Sequence, residues 1–346
     1  MRILILGSDY SARKFFNLAN NEKNIVFSCV KDCNYIEFEN FKDIFDFIEA
    51  NEINFVLILD EKYISNDLIK ELIDMNVSVL SASEENIELL KSKSNLKRFI
   101  YKNKILTPKF QIFEKPQSAI DFVYSTHQAY AIKPDNSSYQ ECVQFAKSRT
   151  QAQKIINKFF ENGNKKILIE DYIEGKNVCF WALSNGYSAK IIGTCAKYQD
   201  NLSYFEPEFI DEKFKNNILD NVINPVITSF SLRDDEYCGI LGFDFMINSK
   251  QEAYLVGIKS FFDELDIELI LKAYDFDWFD VFEATLTGDV FSKYDFVPYS
   301  DYMLSIRQNE EIHLISARTL GNLELYLNEL GFDIEEYKQA CKIWKN

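Results

Sequence analysis

Short apolar runs alternate with amphipathic segments of helical spacing through the first 95 or so residues, and few architectures accept that alternation. MRILILG ends at Gly7, and SARKFFNLANN behind it has helical spacing. NIVFSCV, NFVLILD and VSVLSAS are further short apolar runs, separated by FKDIFDFIEANE and by SNDLIKELIDMN, whose cap is Ser65 or Asn66. Runs that are apolar almost throughout suit strands buried on both faces. The pattern therefore predicts a doubly wound parallel sheet, an α/β domain over residues 1–95. In its first turn, Gly7-Ser8-Asp9-Tyr10-Ser11, only one glycine stands where a dinucleotide-binding turn needs three, so it reads as a plain βα turn.

The alternation then changes character. Residues 84–104 read as one helix carrying Lys91, Lys93, Lys97 and Arg98, and Pro108 precedes a strand. QAYAIKPDN and KKILIEDYIEG read as strands around the helix TQAQKIINKFFEN. VCFWALSNG and YSAKIIGTCAKY form a hairpin turned at Asn185-Gly186. A helix broken by Pro225 follows, then the strand pair GILGFDFMI (239–247) and the run from Tyr254, then a helix from about 267. MLSIRQ and EIHLISA read as a hairpin, and the tail as a helix with Leu, Phe, Tyr and Trp on one side, packed on the core. The expected class is α/β plus α+β.

Composition narrows the function. A net charge of −16 over 346 residues argues against non-specific nucleic-acid binding and against anionic membranes. No run reaches the roughly 18 apolar residues of a membrane span, and the opening run is too short for a signal sequence. Seven scattered cysteines, with no C-x-x-C and only His127 and His313 to join them, point to reduced thiols in a cytoplasm rather than a zinc site. Eleven glycines are roughly half the usual number for this length, which leaves few loops able to wrap phosphate.

SKSNLKRFIYKNKILTPKFQIF (92–113) resembles the pattern G-S-K-x-x-x-K-x-F-M, then I-P-T-A, of the glycinamide ribonucleotide synthetase (phosphoribosylamine–glycine ligase) family, ATP-grasp superfamily. Other segments follow in the family's order: MRILILGS, AIKPD for V-I-K-A-D, ILIEDYIEG for V-I-E-E-F-L-x-G, INPVITSF, and GILGFDFMI for G-V-L-Y-A-G-L-M-I. The resemblance covers residues 1–290 or so. It implies an amino-terminal doubly wound parallel sheet domain over 1–95, a two-lobed ATP-grasp domain over 96–292 with its smaller lobe at 110–180, and a closing segment at 293–346, with the Lys133/Glu170 and Asp244/Lys259 strands facing each other. It also implies ATP as the nucleotide. Lys93 and Lys133 would meet the triphosphate, Glu170, Asp171, Tyr172 and Ile173 would line the adenine hinge, and Asn177 would stand where the family has a ribose-contacting Glu.

The departures from that family are concentrated at the chemistry. Pro134 to Glu141 has no glycine where the family has a Gly-rich flap. Asp9 to Arg13 replaces its G-G-R-E phosphate turn, while Glu61 matches the Glu of its G-P-E turn. AKYQDNLSYFEPEF stands where its G-P-N-T-G-G-M-G substrate loop belongs. Gly257 and Lys259 fall where the resemblance implies the magnesium-holding Glu and Asn, and the phosphate-binding Arg is lost with them. The Lys259 ammonium is expected near the family's metal position, neutralising Asp244; Asp263 and Glu264 are the other acids that could rebuild a metal site. No catalytic residue and no metal ligand is assigned. Three readings remain open. The chain is an ADP-forming carbon–nitrogen ligase of purine biosynthesis with impaired or lost catalysis, an inactive binding or regulatory homologue with a protein partner, or an ATP-grasp ligase of changed substrate. Each takes a nucleotide or other small molecule, with ATP bound weakly and magnesium doubtful.

Overall fold

The computed structural model describes residues 1–126, 128–135, 143–198, 201–232, 236–300 and 302–332. The first sheet holds β1 (Arg2–Leu6), β2 (Ile25–Ser28), β3 (Phe55–Ile58) and β4 (Ser78–Leu80) in the order β2-β1-β3-β4, every pairing parallel. This is the doubly wound arrangement, reversing between β1 and β3. Two of its helices start on capping side chains, while Ser65 stands at the start of helix Asn66–Asp74 without a side-chain cap bond. Asp9 accepts from the Ala12 amide at 2.8 Å, and Asn40 with Asp43 forms a capping box.

The second sheet is antiparallel and runs β5-β8-β6-β7. It comprises β5 (Phe110–Phe113), β6 (Tyr130–Pro134), β7 (Gln144–Ala146) and β8 (Ile167–Asp171). Helices Pro116–Ser125 and Arg149–Glu161 cover one face through Ala119, Val123, Ile156 and Phe159.

The third sheet has seven strands in the order β13-β12-β9-β10-β11-β14-β15. They are β9 (Lys176–Asn185), β10 (Ala189–Tyr198), β11 (Leu202–Phe205), β12 (Cys238–Ile247), β13 (Ala253–Lys259), β14 (Tyr302–Gln308) and β15 (Glu311–Ala317). β9 and β10 are joined at Gly186, whose φ of 92° is the left-handed value a tight turn needs. β14 and β15 form the expected terminal hairpin.

The chain falls into two units. One comprises Met1–Asn86, Cys179–Gly242 and Ser260–Asn346, and the other Ile87–Val178 and Phe243–Lys259. In the first, Phe15, Phe55, Trp181, Phe205, Phe279 and Phe282 belong to one buried apolar cluster. The second has its own core around Ile132, Ile156 and Ile169. No helix among the described residues is long and apolar enough to cross a membrane.

Several local expectations are corrected. The helix read over 84–104 is two helices, Glu84–Lys91 and Lys93–Lys102. Ser92 is extended, and its hydroxyl caps the second helix at the Asn95 amide. The helix containing Pro225 is not broken. A π turn at Leu219–Ile223 brings the Asn224 amide to the Leu219 carbonyl, which takes up the proline without ending the helix. β7 and β11 were not anticipated. The tail forms helix Leu320–Glu329, and Tyr337 and Trp344 of the expected apolar side lie outside the described residues, as do His127 and 136–141 of the glycine-free flap segment.

Candidate functional site

The second unit holds a buried charge cluster. β6 and β8 pair so that Ala131 faces Glu170, which puts Lys133, two residues on, on the same face and diagonal to Glu170. The Lys133 Nζ donates to Glu170 Oε2 at 2.8 Å. The other oxygen, Oε1, lies 3.1 Å from the Nζ of Lys97, a lysine only 1% exposed. Lys97 also donates to Thr107 Oγ1 at 2.6 Å and to the Leu255 carbonyl of β13 at 3.3 Å. Thr107 in turn donates to that carbonyl at 2.7 Å. One ammonium thus ties helix Lys93–Lys102 to β8 and to β13.

Burial pushes the Lys97 amine down to about 8, with Glu170 raising it and Lys133 lowering it. Burial alone would push the Glu170 carboxyl up; Lys133 and Lys97 together outweigh it and hold the carboxyl below its usual range. Two cations around one carboxylate leave the cluster with a net charge of about +1.

Around this cluster, Asp135 accepts from the Ser94 amide at 2.7 Å and from the Ser92 hydroxyl, at the start of helix Lys93–Lys102. Lys93 is half-buried in that first turn, and its amide donates to the Asp135 carbonyl at 3.1 Å. Glu170 and Asp171 end β8, and residues 172–175 connect it to β9. The Asp171 amide donates to the Lys109 carbonyl at 2.9 Å and the Tyr172 amide to the Ala129 carbonyl at 3.0 Å. Those two amides are therefore engaged, and base reading by this segment is left to its carbonyls and to Ile173. Burial raises the Asp171 carboxyl above its ordinary value. Tyr172 packs edge-on to Phe145 with ring centroids 5.5 Å apart. Gly175 accepts no side chain, since a Cβ there would stand 2.4 Å from the Ile247 carbonyl oxygen.

On β12 and β13, Asp244 Oδ2 lies 2.8 Å from the Lys259 Nζ. Gly257 stands beside the pair, where a Cβ would be 3.5 Å from the same oxygen. Among the described residues, two acceptors of this unit are buried with no hydrogen-bond partner: Asn177 Oδ1 and Asp244 Oδ1. Such atoms cost free energy unless a donor arrives, so they mark places a ligand would complete.

The sequence profile described as "Phosphoribosylglycinamide synthetase, ATP-grasp (A) domain" matches residues 91–266, just over half of the chain. The chain belongs to the phosphoribosylglycinamide synthetase ATP-grasp family. Among its relatives, a phosphoribosylamine–glycine ligase from Fusobacterium nucleatum is 20% identical over 84% of this chain and 74% of its own length. A ligase of the same name from Clostridium acetobutylicum is 19% identical over 83% and 75%. The fold is shared with a solved phosphoribosylamine–glycine ligase from Thermotoga maritima, with a TM-score of 0.72, 14% identity and 96% of each chain covered. It is also shared with a carboxyaminoimidazole ribonucleotide synthase of Aspergillus clavatus solved with ATP, with a TM-score of 0.70, 10% identity and 98% of each chain covered.

Within the second unit, Lys133 and Glu170 are in contact, as are Lys259 and Asp244, and Lys97 contacts both Glu170 and β13. Lys97 was not among the expected site residues. Its signal was its place on the apolar side of its helix with Leu96 and Ile100, where a solvated lysine would not stand.

Of the acids expected as substitutes for lost metal ligands, Asp263 pairs with Lys197 and Glu264 with Arg307, both in the other unit. Arg13 donates to the Lys31 carbonyl, and Glu61 opens a short 3-10 turn after β3. The donor set does not fit magnesium. Gly257 brings no oxygen, Lys259 brings a cation, and Asp244 already spends one oxygen on that cation. Among the described residues, no group of three or more His, Cys, Asp or Glu is arranged to hold a metal.

Proposed function

We propose that this chain is an ATP-grasp homologue of the phosphoribosylamine–glycine ligases that binds an adenine nucleotide without magnesium and has lost ligase catalysis. The Lys259–Asp244 ion pair beside Gly257 carries this reading. It puts an ammonium where the family resemblance implies an Asn ligand, and leaves no side chain where it implies a Glu. A fixed ammonium can face phosphate charge but repels a divalent cation. Lys93 and Lys133 would meet the phosphates. Asp171 and Ile173 would read the base edge through backbone groups, with Glu170 and Tyr172 beside them, and Asn177 would take a ribose hydroxyl on its unpartnered oxygen. Without the metal, phosphate charge in an acyl-phosphate transition state is unclamped, and that loss falls on what is usually the largest catalytic contribution.

A cytoplasmic setting suits the substrates named for the relatives. A regulatory role beside an active synthetase would give such a chain a protein partner.

Calorimetry of ATP binding with and without magnesium tests the reading. We expect weak binding that magnesium does not tighten. In the Gly257→Glu, Lys259→Asn double variant, magnesium should tighten it. With phosphoribosylamine, glycine and Mg-ATP, ADP formation should stay at background. Turnover of about 1–10 per second, the range of ordinary enzymes, would overturn the loss of catalysis, and Mg-ATP binding far tighter than free ATP would overturn the metal-free site.

A further inference from the structure

The buried cluster has an imbalance that its own residues do not remove. Glu170 is 1% exposed and Lys133 7% exposed, so neither is well solvated. Lys97 fills its donor capacity within the protein: Thr107 Oγ1, the Leu255 carbonyl and Glu170 account for three contacts of an ammonium with three protons. Lys133 is held by Glu170 through one hydrogen bond. A lone Glu–Lys pair in this position would be neutral and closed. The second lysine changes that, because one carboxylate is then shared by two ammonium groups.

We propose that Lys97 is a positioning residue that sets the charge of this site: by sharing Glu170, it leaves Lys133 as an incompletely neutralised cation, a seat for a polyphosphate anion. This deepens the nucleotide-binding reading given above and rests on it for the identity of the natural ligand, while the seat itself needs only the phosphate chain. Lys97 touches no ligand in this scheme. It acts through Glu170, which would hold Lys133 more tightly were Lys97 uncharged. The charged and polar groups facing Lys97 are Glu170 of β8, Lys133 of β6, Thr107 and the Leu255 carbonyl of β13.

The sign of the effect separates this from a structural role. With Lys97→Met the cluster is neutral, and with Glu170→Gln it carries two positive charges. Inorganic tripolyphosphate is the probe, followed by calorimetry at constant ionic strength on full-length protein. We expect Lys97→Met to bind it about tenfold more weakly than the unmodified chain, and Glu170→Gln to bind it more tightly by a similar factor. If Lys97→Met does not fold, Lys97→Gln keeps a polar group against Thr107 and serves in its place. A merely structural lysine would give losses in both directions, and that result overturns the proposal. So does absence of tripolyphosphate binding by the unmodified protein. The nucleotide reading fails separately, if tripolyphosphate binds as tightly as ATP and the base adds nothing.

Discussion

At the scale of single residues, the behaviour of Lys97 with pH follows from its burial. Its amine titrates near 8 in the folded chain against an ordinary value of 10.5. Between those values the unfolded chain binds the proton more tightly, so this group makes stability rise with pH across the window, by at most about 1.4 kcal/mol per pH unit. Glu170 has the opposite placement. Its lowered carboxyl contributes stability above its ordinary 4.5, lost as pH falls through the folded value. In urea unfolding from pH 7 to 9.5, we expect the unmodified chain to gain stability relative to Lys97→Met. Over the same interval its affinity for tripolyphosphate should fall, as Lys97 loses its charge and Glu170 turns wholly to Lys133. A stability difference flat in pH would mean that Lys97 is not titrating there. The strands that carry Lys133 and Glu170 were legible in the sequence, because each is a short apolar run. For Lys97 the signal was weaker: it stands beside Leu96 and Ile100 on the apolar side of its helix, but a lysine among other cations on a helix is ordinarily solvated.

At the scale of elements, legibility depended on length. The strands of the first sheet were readable because each apolar run ends in a turn and a helix follows. β7 and β11, three and four residues long, are too short for periodicity to show. The break at Ser92 carries no glycine or proline, so one long helix was the natural reading of two. What divides them is capping from a distant strand. Asp135 at the end of β6 accepts the Ser94 amide, and Ser92 caps Asn95. A carboxylate at a helix start also meets the positive end of the helix dipole. We therefore expect Ser92→Ala to cost about 1 kcal/mol and Asp135→Asn to cost more, because it weakens a charge-assisted bond to a backbone donor. Since the two side chains also bond each other, their effects should not add. Urea unfolding of the two single variants and the double measures this. If Ser92→Ala costs more than Asp135→Asn, the local serine rather than the distant strand starts the helix.

At the scale of the whole molecule, the α/β and α+β classes followed from the order of runs, but the division into units did not. The first unit is assembled from three stretches of chain and the second from two. Strands β9 and β12 each begin in one unit's residues and end in the other's, which no linear reading of composition or turns reveals. The second unit illustrates the consequence. Its residues 87–178 carry the charge cluster, but they lack β13, whose Leu255 carbonyl receives Lys97 and Thr107 and whose Leu255 amide donates to the Leu106 carbonyl at 2.9 Å. They also lack Ile247, against which Gly175 packs without room for a side chain. Removed from those partners, Lys97 would keep a buried charge with part of its hydrogen bonding gone, a loss of several kcal/mol against a marginal domain stability of about 5–15 kcal/mol. A fragment of residues 87–178 should therefore fail to unfold cooperatively in urea. The same fragment joined through a flexible linker to residues 243–259 should recover a sigmoidal transition, with slowed amide exchange at Leu255. A cooperative transition in the shorter fragment, equal in midpoint to the linked one, would show that the core around Ile132, Ile156 and Ile169 is sufficient and that the strand bearing Lys259 is held by this unit without supporting it.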